Sequence, residues 1–80
     1  MSYTIEVRIE LKKGVIDAEG ETVKKSLNLL GYKIEDVNTI RVYAIRVDAG
    51  SEDEAVGEID EACKRLLANP VIQNYSVNVK

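Results

Sequence analysis

The chain opens with an unbroken alternation of apolar and polar residues. Between Tyr3 and Leu11 every odd position is apolar and every even position is polar. Because successive side chains of a strand point to opposite faces of a sheet, this pattern predicts a strand with one buried and one solvated face. The run Lys12-Lys13-Gly14 ends the alternation and predicts a turn.

A first helix is predicted directly after Asp17, which is a favourable N-cap residue. The predicted core-facing stripe follows helical spacing and consists of Val23, Leu27 and Leu30. Gly31 stands in the usual position after a helix end. Gly20 is unexpected here, because glycine inside a helix costs up to ~1 kcal/mol relative to alanine. Either the first turn is loose, or another backbone approaches Gly20 closely.

Thr39 to Asp48 predicts a second strand that is apolar on both faces. One face would carry Ile40, Val42 and Ala44, and the other face Tyr43, Ile45 and Val47. A bulge near Ala44 or two short strands would also explain the pattern. One long, bent strand is the preferred interpretation, because no turn-forming residue stands at Tyr43-Ala44. A second apolar face needs a cover, which favours self-association.

The last third of the chain predicts a helix, a firm stop and a final strand. Ser51 and Glu54 form a capping box, and an apolar stripe follows, made of Val56, Ile59, Cys63, Leu66 and Leu67. Pro70 has no N–H and restricts the residue before it, so the helix should end at about Ala68. Val71 and Ile72 should then begin the last strand.

These elements predict one domain spanning residues 1–80, in the order β-α-β-α-β. The expected fold class is α+β: a two-layer sandwich related to the ferredoxin-like fold, with a mainly antiparallel sheet and two helices on one face. The core must be built from aliphatic residues, since the chain has no Trp and no Phe.

Composition argues against several classes of function. The net charge is −3, and Asp48 to Glu61 carries seven carboxylates without a basic residue, so a nucleic-acid binder is disfavoured. The chain has no His, and Cys63, its single thiol, lies on an apolar stripe, so neither a catalytic nor a metal site is expected. With no signal sequence or membrane span expected, a cytoplasmic protein is predicted.

Several runs resemble one family over nearly the whole chain. They include the sequence from Leu11 to Asp17, the sequence from Val23 to Leu27, Leu30-Gly31-Tyr32 and, as the most specific run, Leu66 to Ile72. On these residues the sequence is similar to the PurS family, the small subunit of phosphoribosylformylglycinamidine (FGAM) synthase in purine biosynthesis.

The resemblance implies a non-catalytic subunit with no cofactor of its own. It implies a homodimer that joins a glutaminase subunit (PurQ) to a synthetase subunit (PurL). Two such dimers could also pair into a dimer of dimers. PurL would use ATP and magnesium to convert formylglycinamide ribonucleotide to its amidine, with ammonia supplied by PurQ. No nucleic acid and no membrane are expected as partners. An ACT-type regulatory module that binds a small molecule is the alternative.

A subunit interface is predicted rather than an active site. Its candidate residues are Gly14, Asp17, Gly20, Tyr43, Ile45 and Val47. Gly20 and the loop from Lys13 to Glu19 are expected to touch a partner subunit, and the strand residues are expected to form part of the surplus apolar face.

Overall fold

The computed structural model describes all residues from Met1 to Lys80. Its elements are strand β1 (Ser2–Leu11), helix α1 (Ala18–Leu29), strand β2 (Ile40–Asp48), helix α2 (Glu52–Ala62) and strand β3 (Gln73–Val79). A π-helical turn, Cys63–Leu67, extends α2. The α+β class and the β-α-β-α-β order are therefore confirmed.

The three strands form one antiparallel sheet in the order β2-β1-β3. The β1–β2 ladder runs without interruption from the pair Ser2–Asp48 to the pair Glu10–Ile40. No residue is inserted near Ala44, so β2 is one regular strand with apolar residues on both faces. The inner face of the sheet carries the odd-numbered residues of all three strands.

The core is small and lies between α2 and the middle of the sheet. Helix α2 packs against β1 and β3. The buried residues are Ile5, Val7, Ile9, Ala49, Ala55, Ile59, Cys63 and Ala68. Neither helix has the length and apolar character needed to cross a bilayer.

The second helix ends where Pro70 requires it to end. Ala68 has extended backbone angles, and its N–H donates to the Cys63 carbonyl over 2.9 Å, which closes the π-turn. The wider turn moves Leu66 off the predicted stripe and into solvent, while Leu67 stays half-buried. The prediction that Leu66 faces the core is therefore wrong.

The last strand begins later than the sequence suggested. Val71 and Ile72 lie in a turn, and β3 starts at Gln73. The cause is Asn69: its side-chain oxygen accepts the Val71 N–H at 3.0 Å, and its carbonyl accepts the N–H groups of Ile72 and Gln73. These bonds hold the two apolar residues in a turn, and both remain exposed.

Helix α1 differs most from expectation, because it does not lie on the sheet beside α2. The molecule measures 51 × 24 × 14 Å, and its radius of gyration is 16.1 Å. A compact domain of 80 residues would have about 12 Å. Strand β1 spans about 34 Å and α1 about 18 Å, so the long axis equals the two placed end to end.

The predicted core-facing stripe of α1 is consequently not part of the core. Val23 and Leu30 are exposed, and Leu27 is only half-buried. The periodicity correctly indicated a helix with an apolar face, but the protomer's own sheet does not cover that face.

The core prediction can be tested at the centre of β1. We expect Ile5→Ala to lower the free energy of unfolding by about 2–4 kcal/mol, because Ile5 is fully buried and its truncation leaves a cavity. Thr4→Ala, on the solvated face of the same strand, should change it by less than about 0.5 kcal/mol. Urea denaturation of both variants provides the measurement. Similar losses in both would contradict the assigned faces.

Candidate subunit interface

Residues 12–39 form a projecting unit, which we call the arm: α1 with the segments that lead into and out of it. Asp17 joins its two ends at the sheet. The Asp17 carboxylate accepts the Gly20 N–H at 2.9 Å, the Thr39 N–H at 2.6 Å and the Thr39 hydroxyl at 3.0 Å. One side chain therefore caps the helix and holds the residue that precedes β2.

These hydrogen bonds set the acidity of Asp17. The bonds from the Gly20 N–H and then the Thr39 N–H stabilise the charged carboxylate and lower the pKa of Asp17 below its ordinary value. Burial opposes them, and the weaker bond from the Thr39 hydroxyl adds to the lowering. Asp17 is thus an anionic anchor at the base of the arm over the whole neutral range.

Gly20 is required by a close backbone approach inside the arm. A Cβ at this position would stand 2.5 Å from the Val37 carbonyl oxygen. Of the two explanations for a glycine inside the helix, close approach is therefore correct, and the approaching backbone belongs to the same chain. Gly20 is buried before any partner binds.

The far end of the arm is closed by local hydrogen bonds. The Asn28 side chain pairs with the backbone of Ile34, accepting its N–H at 2.9 Å and donating to its carbonyl at 3.3 Å. Gly31 has φ +100° and ends α1, as predicted, while the Tyr32 N–H donates to the Leu27 carbonyl. The returning segment is thereby fastened to the helix.

The predicted interface residues fall into two separate groups. Gly14, with φ +89°, shapes the turn after β1 and lies with Asp17 and Gly20 at the base of the arm. The second group is on the inner face of β2, where Ile45 and Val47 are half-buried and Tyr43 is 38% exposed.

The arm also carries apolar residues that the sequence analysis did not assign to an interface. Leu29 is 88% exposed and Leu30 75% exposed, and Ile16, Val23 and Tyr32 are exposed as well. Leu29 was detectable in principle, since it lies off the predicted stripe of α1 and had no assigned cover. The sequence signal for an interface is therefore an apolar helix residue that lies outside the stripe expected to face the core.

The base of the arm opens into a polar cleft of about 370 Å³. Its lining mixes charges of both signs, with Arg8, Lys12 and Lys13 beside Glu10 and Asp17. No three carboxylate, thiol or imidazole groups converge in a way that could hold a metal ion.

On the inner face of the sheet, a polar contact ties β3 to α2. The Tyr75 hydroxyl donates to Asp60 at 2.9 Å, and the Lys64 ammonium lies 3.2 Å from the same carboxylate. The hydrogen bond from Tyr75 and the contact with Lys64 stabilise the Asp60 carboxylate and lower the pKa of Asp60. In return, the hydrogen bond to this carboxylate raises the pKa values of Tyr75 and Lys64. Burial, and then Asp60, raises the pKa of the Cys63 thiol. This region is therefore structural support for the sheet.

Comparison with known proteins agrees with this geometry. The family model described as "PurS: Phosphoribosylformylglycinamidine (FGAM) synthase" matches residues 4–80. A protein of Archaeoglobus fulgidus named phosphoribosylformylglycinamidine synthase subunit PurS is 53% identical over 73 residues, which cover 90% of this chain and 91% of that protein.

Solved structures show the same fold. The crystal structure of Methanocaldococcus jannaschii PurS, described as one of the subunits of formylglycinamide ribonucleotide amidotransferase, superposes with a TM-score of 0.86 at 40% identity, covering 98% of this chain and 95% of that one. A chain of the structure of PurLQS from Thermotoga maritima reaches 0.90 at 23% identity, with 100% and 99% covered.

The fold and the exposed arm together define a small α+β domain with an apolar surface that its own core leaves uncovered. The matches assign it within that class. The chain belongs to the PurS family of FGAM synthase subunits.

The close approach at Gly20 predicts opposite effects of one substitution at two helical glycines. Gly20→Ala should lower the free energy of unfolding by about 1–3 kcal/mol, because the new methyl group would overlap the Val37 carbonyl. Gly57→Ala in α2 should raise it by up to about 1 kcal/mol, because nothing lies within 4 Å and alanine favours the helix. Denaturant titration at equal protein concentration compares the two. A Gly20→Ala protein as stable as the parent would contradict the packing.

The anchor at Asp17 predicts a stability loss in acid. Its folded-state pKa is depressed, so its stabilising effect is present above about pH 4 and is lost as the pH falls through the folded-state value. Asp17→Asn should therefore be less stable than the parent at neutral pH, and the difference should shrink in acid. Thermal unfolding from pH 7 to pH 2 measures this, with Glu35→Gln in the same arm as the control. A difference that does not change with pH would contradict it.

Proposed function

We propose that this chain acts as a homodimeric, non-catalytic subunit that joins a glutaminase (PurQ) and a synthetase (PurL) in FGAM synthase. The observation that carries the proposal is the exposed apolar surface of the arm in a member of the PurS family. Its place beside the other two subunits is supported by the fold shared with a chain of a PurLQS structure.

The surface area of the protomer supports self-association. The accessible surface is 6057 Å². A compact monomer of 8.9 kDa would expose about 4,800 Å² by the usual scaling with mass. The excess of about 1,200 Å² exceeds the roughly 800 Å² that one partner buries in a standard interface. A protomer of this shape is suited to a dimer, and a pair of dimers remains compatible with it.

The chemistry of the complex explains why such a subunit is useful. Ammonia released by a glutaminase is mostly ammonium in neutral water and is then not nucleophilic. Transfer to a synthetase therefore needs an enclosed, water-poor route and subunits held at a fixed spacing. In this proposal ATP and magnesium are bound by PurL, this chain holds no cofactor, and the complex works in the cytoplasm.

The predicted interface residues have different parts in this proposal. On the inner face of β2, Tyr43 supplies exposed contact surface, while Ile45 and Val47 are half-buried against the protomer's own core and contribute only their remaining exposed area. Gly14, Asp17 and Gly20 act indirectly, since they fix the base of the arm. The match of the PurS model to residues 4–80 favours this function over the ACT-type module.

Reconstitution tests the proposal. With purified PurL and PurQ of the same source, we expect this chain to form a complex on gel filtration and to raise FGAM formation from glutamine by more than about tenfold. Formation from added ammonium chloride should not need it, because PurL then takes ammonia from solution. Equal glutamine-dependent rates with and without the chain would contradict the proposed role.

A further inference from the structure

The polar cleft at the base of the arm has no carboxylate left to attract a cation. Its volume is about 370 Å³, and the two carboxylates in its lining belong to Glu10 and Asp17. Asp17 accepts hydrogen bonds from Gly20 and Thr39. Glu10 lies 3.4 Å from the Arg8 guanidinium. Both acidic side chains are therefore engaged within the chain.

Hydrogen-bond donors, in contrast, are left over in the same cleft. Lys12 and Lys13 line it, and their ammonium groups form no ion pair. The backbone N–H groups of Lys13 and Gly14 donate to no carbonyl of the chain. The side-chain amide of Asn38, which is also in the lining, makes no hydrogen bond. A cleft with unpaired donors and engaged carboxylates is suited to an anion.

Local structure holds these donors in place. The Val15 N–H donates to the Lys12 carbonyl at 3.1 Å, which closes the turn after β1, and Gly14 takes the positive φ of this turn. Asn38 precedes Thr39, whose N–H and hydroxyl are bonded across the base of the arm. The two segments therefore border one cleft before any ligand binds, so that binding requires little further ordering.

The composition of the lining indicates the class of anion. Three cationic residues stand against two carboxylates, in a chain whose net charge is −3. The apolar lining residues are Leu11, Val15 and Ile40, so no aromatic ring is present on which a nucleobase could stack. Lysine ammonium groups act as compact point charges that suit phosphate, and a phosphate group carries more charge than a carboxylate. The cleft has the size of a site for a small molecule.

We propose that this cleft binds the phosphate group of a small molecule, either inorganic phosphate or a phosphate ester. Lys12 and Lys13 supply the charge, while the Asn38 amide and the unpaired N–H groups of the turn supply directed hydrogen bonds. A bound phosphate joins the turn after β1 to the segment before β2, and so adds a second connection beside Asp17 at the base of the arm. This site is separate from the proposed joining role and does not depend on it.

Amide NMR of the isotope-labelled full chain tests the site. Sodium phosphate is titrated against sodium chloride at equal pH and ionic strength, so that general screening of charge is the same in both. We expect saturable shifts of the Lys13 and Gly14 amides and of the Asn38 side-chain amide, with a Kd on the order of 1 mM.

Further titrations identify the source of the phosphate group. Ribose 5-phosphate is compared with inorganic phosphate, and ribose and acetate are the controls without a phosphate group. Binding of inorganic phosphate alone would support the proposal with the free ion as ligand, and binding of ribose 5-phosphate would support it with an ester as ligand. Ribose or acetate binding as tightly as phosphate would overturn it.

Two double variants with the same change in net charge complete the test. Lys12→Gln with Lys13→Gln should weaken phosphate binding at least about tenfold, because both charge-assisted donors are lost. Lys24→Gln with Lys25→Gln, at two adjacent lysines of α1 outside the cleft, should leave the Kd unchanged. Equal weakening in both variants, or shifts in the parent chain that do not saturate, would overturn the proposal.

Discussion

The direction of α1 is the constraint on which the rest of the structure depends. The helix connects two neighbouring antiparallel strands, so it leaves and re-enters the sheet at the same end. Asp17 fixes this junction through three hydrogen bonds, and the Gly20–Val37 contact closes the connection on itself. A helix held in this way projects from the sheet, and its apolar face is left without cover inside the protomer.

In the proposed function, this projection is the feature that lets an 80-residue chain join larger proteins. A small core gives limited stability, and here only eight residues form the buried cluster. The apolar residues that would have enlarged that core are placed on the arm and on β2. Burial of these residues between chains would add stability and fix spacing at once, because folding free energy and association then depend on the same surface.

Local signals predicted the structure well wherever a side chain acts on its own backbone. The alternation of β1, the caps at Asp17 and Ser51, the glycine after α1 and the stop before Pro70 all lie where expected. Asn69 was the exception: its side chain holds Val71 and Ile72 in a turn that their β-branched character did not suggest. The π-turn that exposes Leu66 gives no comparable pattern in the sequence.

The position of α1 could not be predicted for a different reason. Helical periodicity shows that a face is buried, but it does not show which chain buries it. Val23 and Leu30 satisfy the rule for a core helix whether the sheet beneath them is their own or a partner's. What prevents α1 from packing on its own sheet is the anchor at Asp17, the length of the connection and the register of β1 with β2. These features depend on contacts between residues far apart in the sequence, so local patterns do not reveal them. For a chain of this size, apolar stripes in excess of the available core are therefore better interpreted as a property of the assembly.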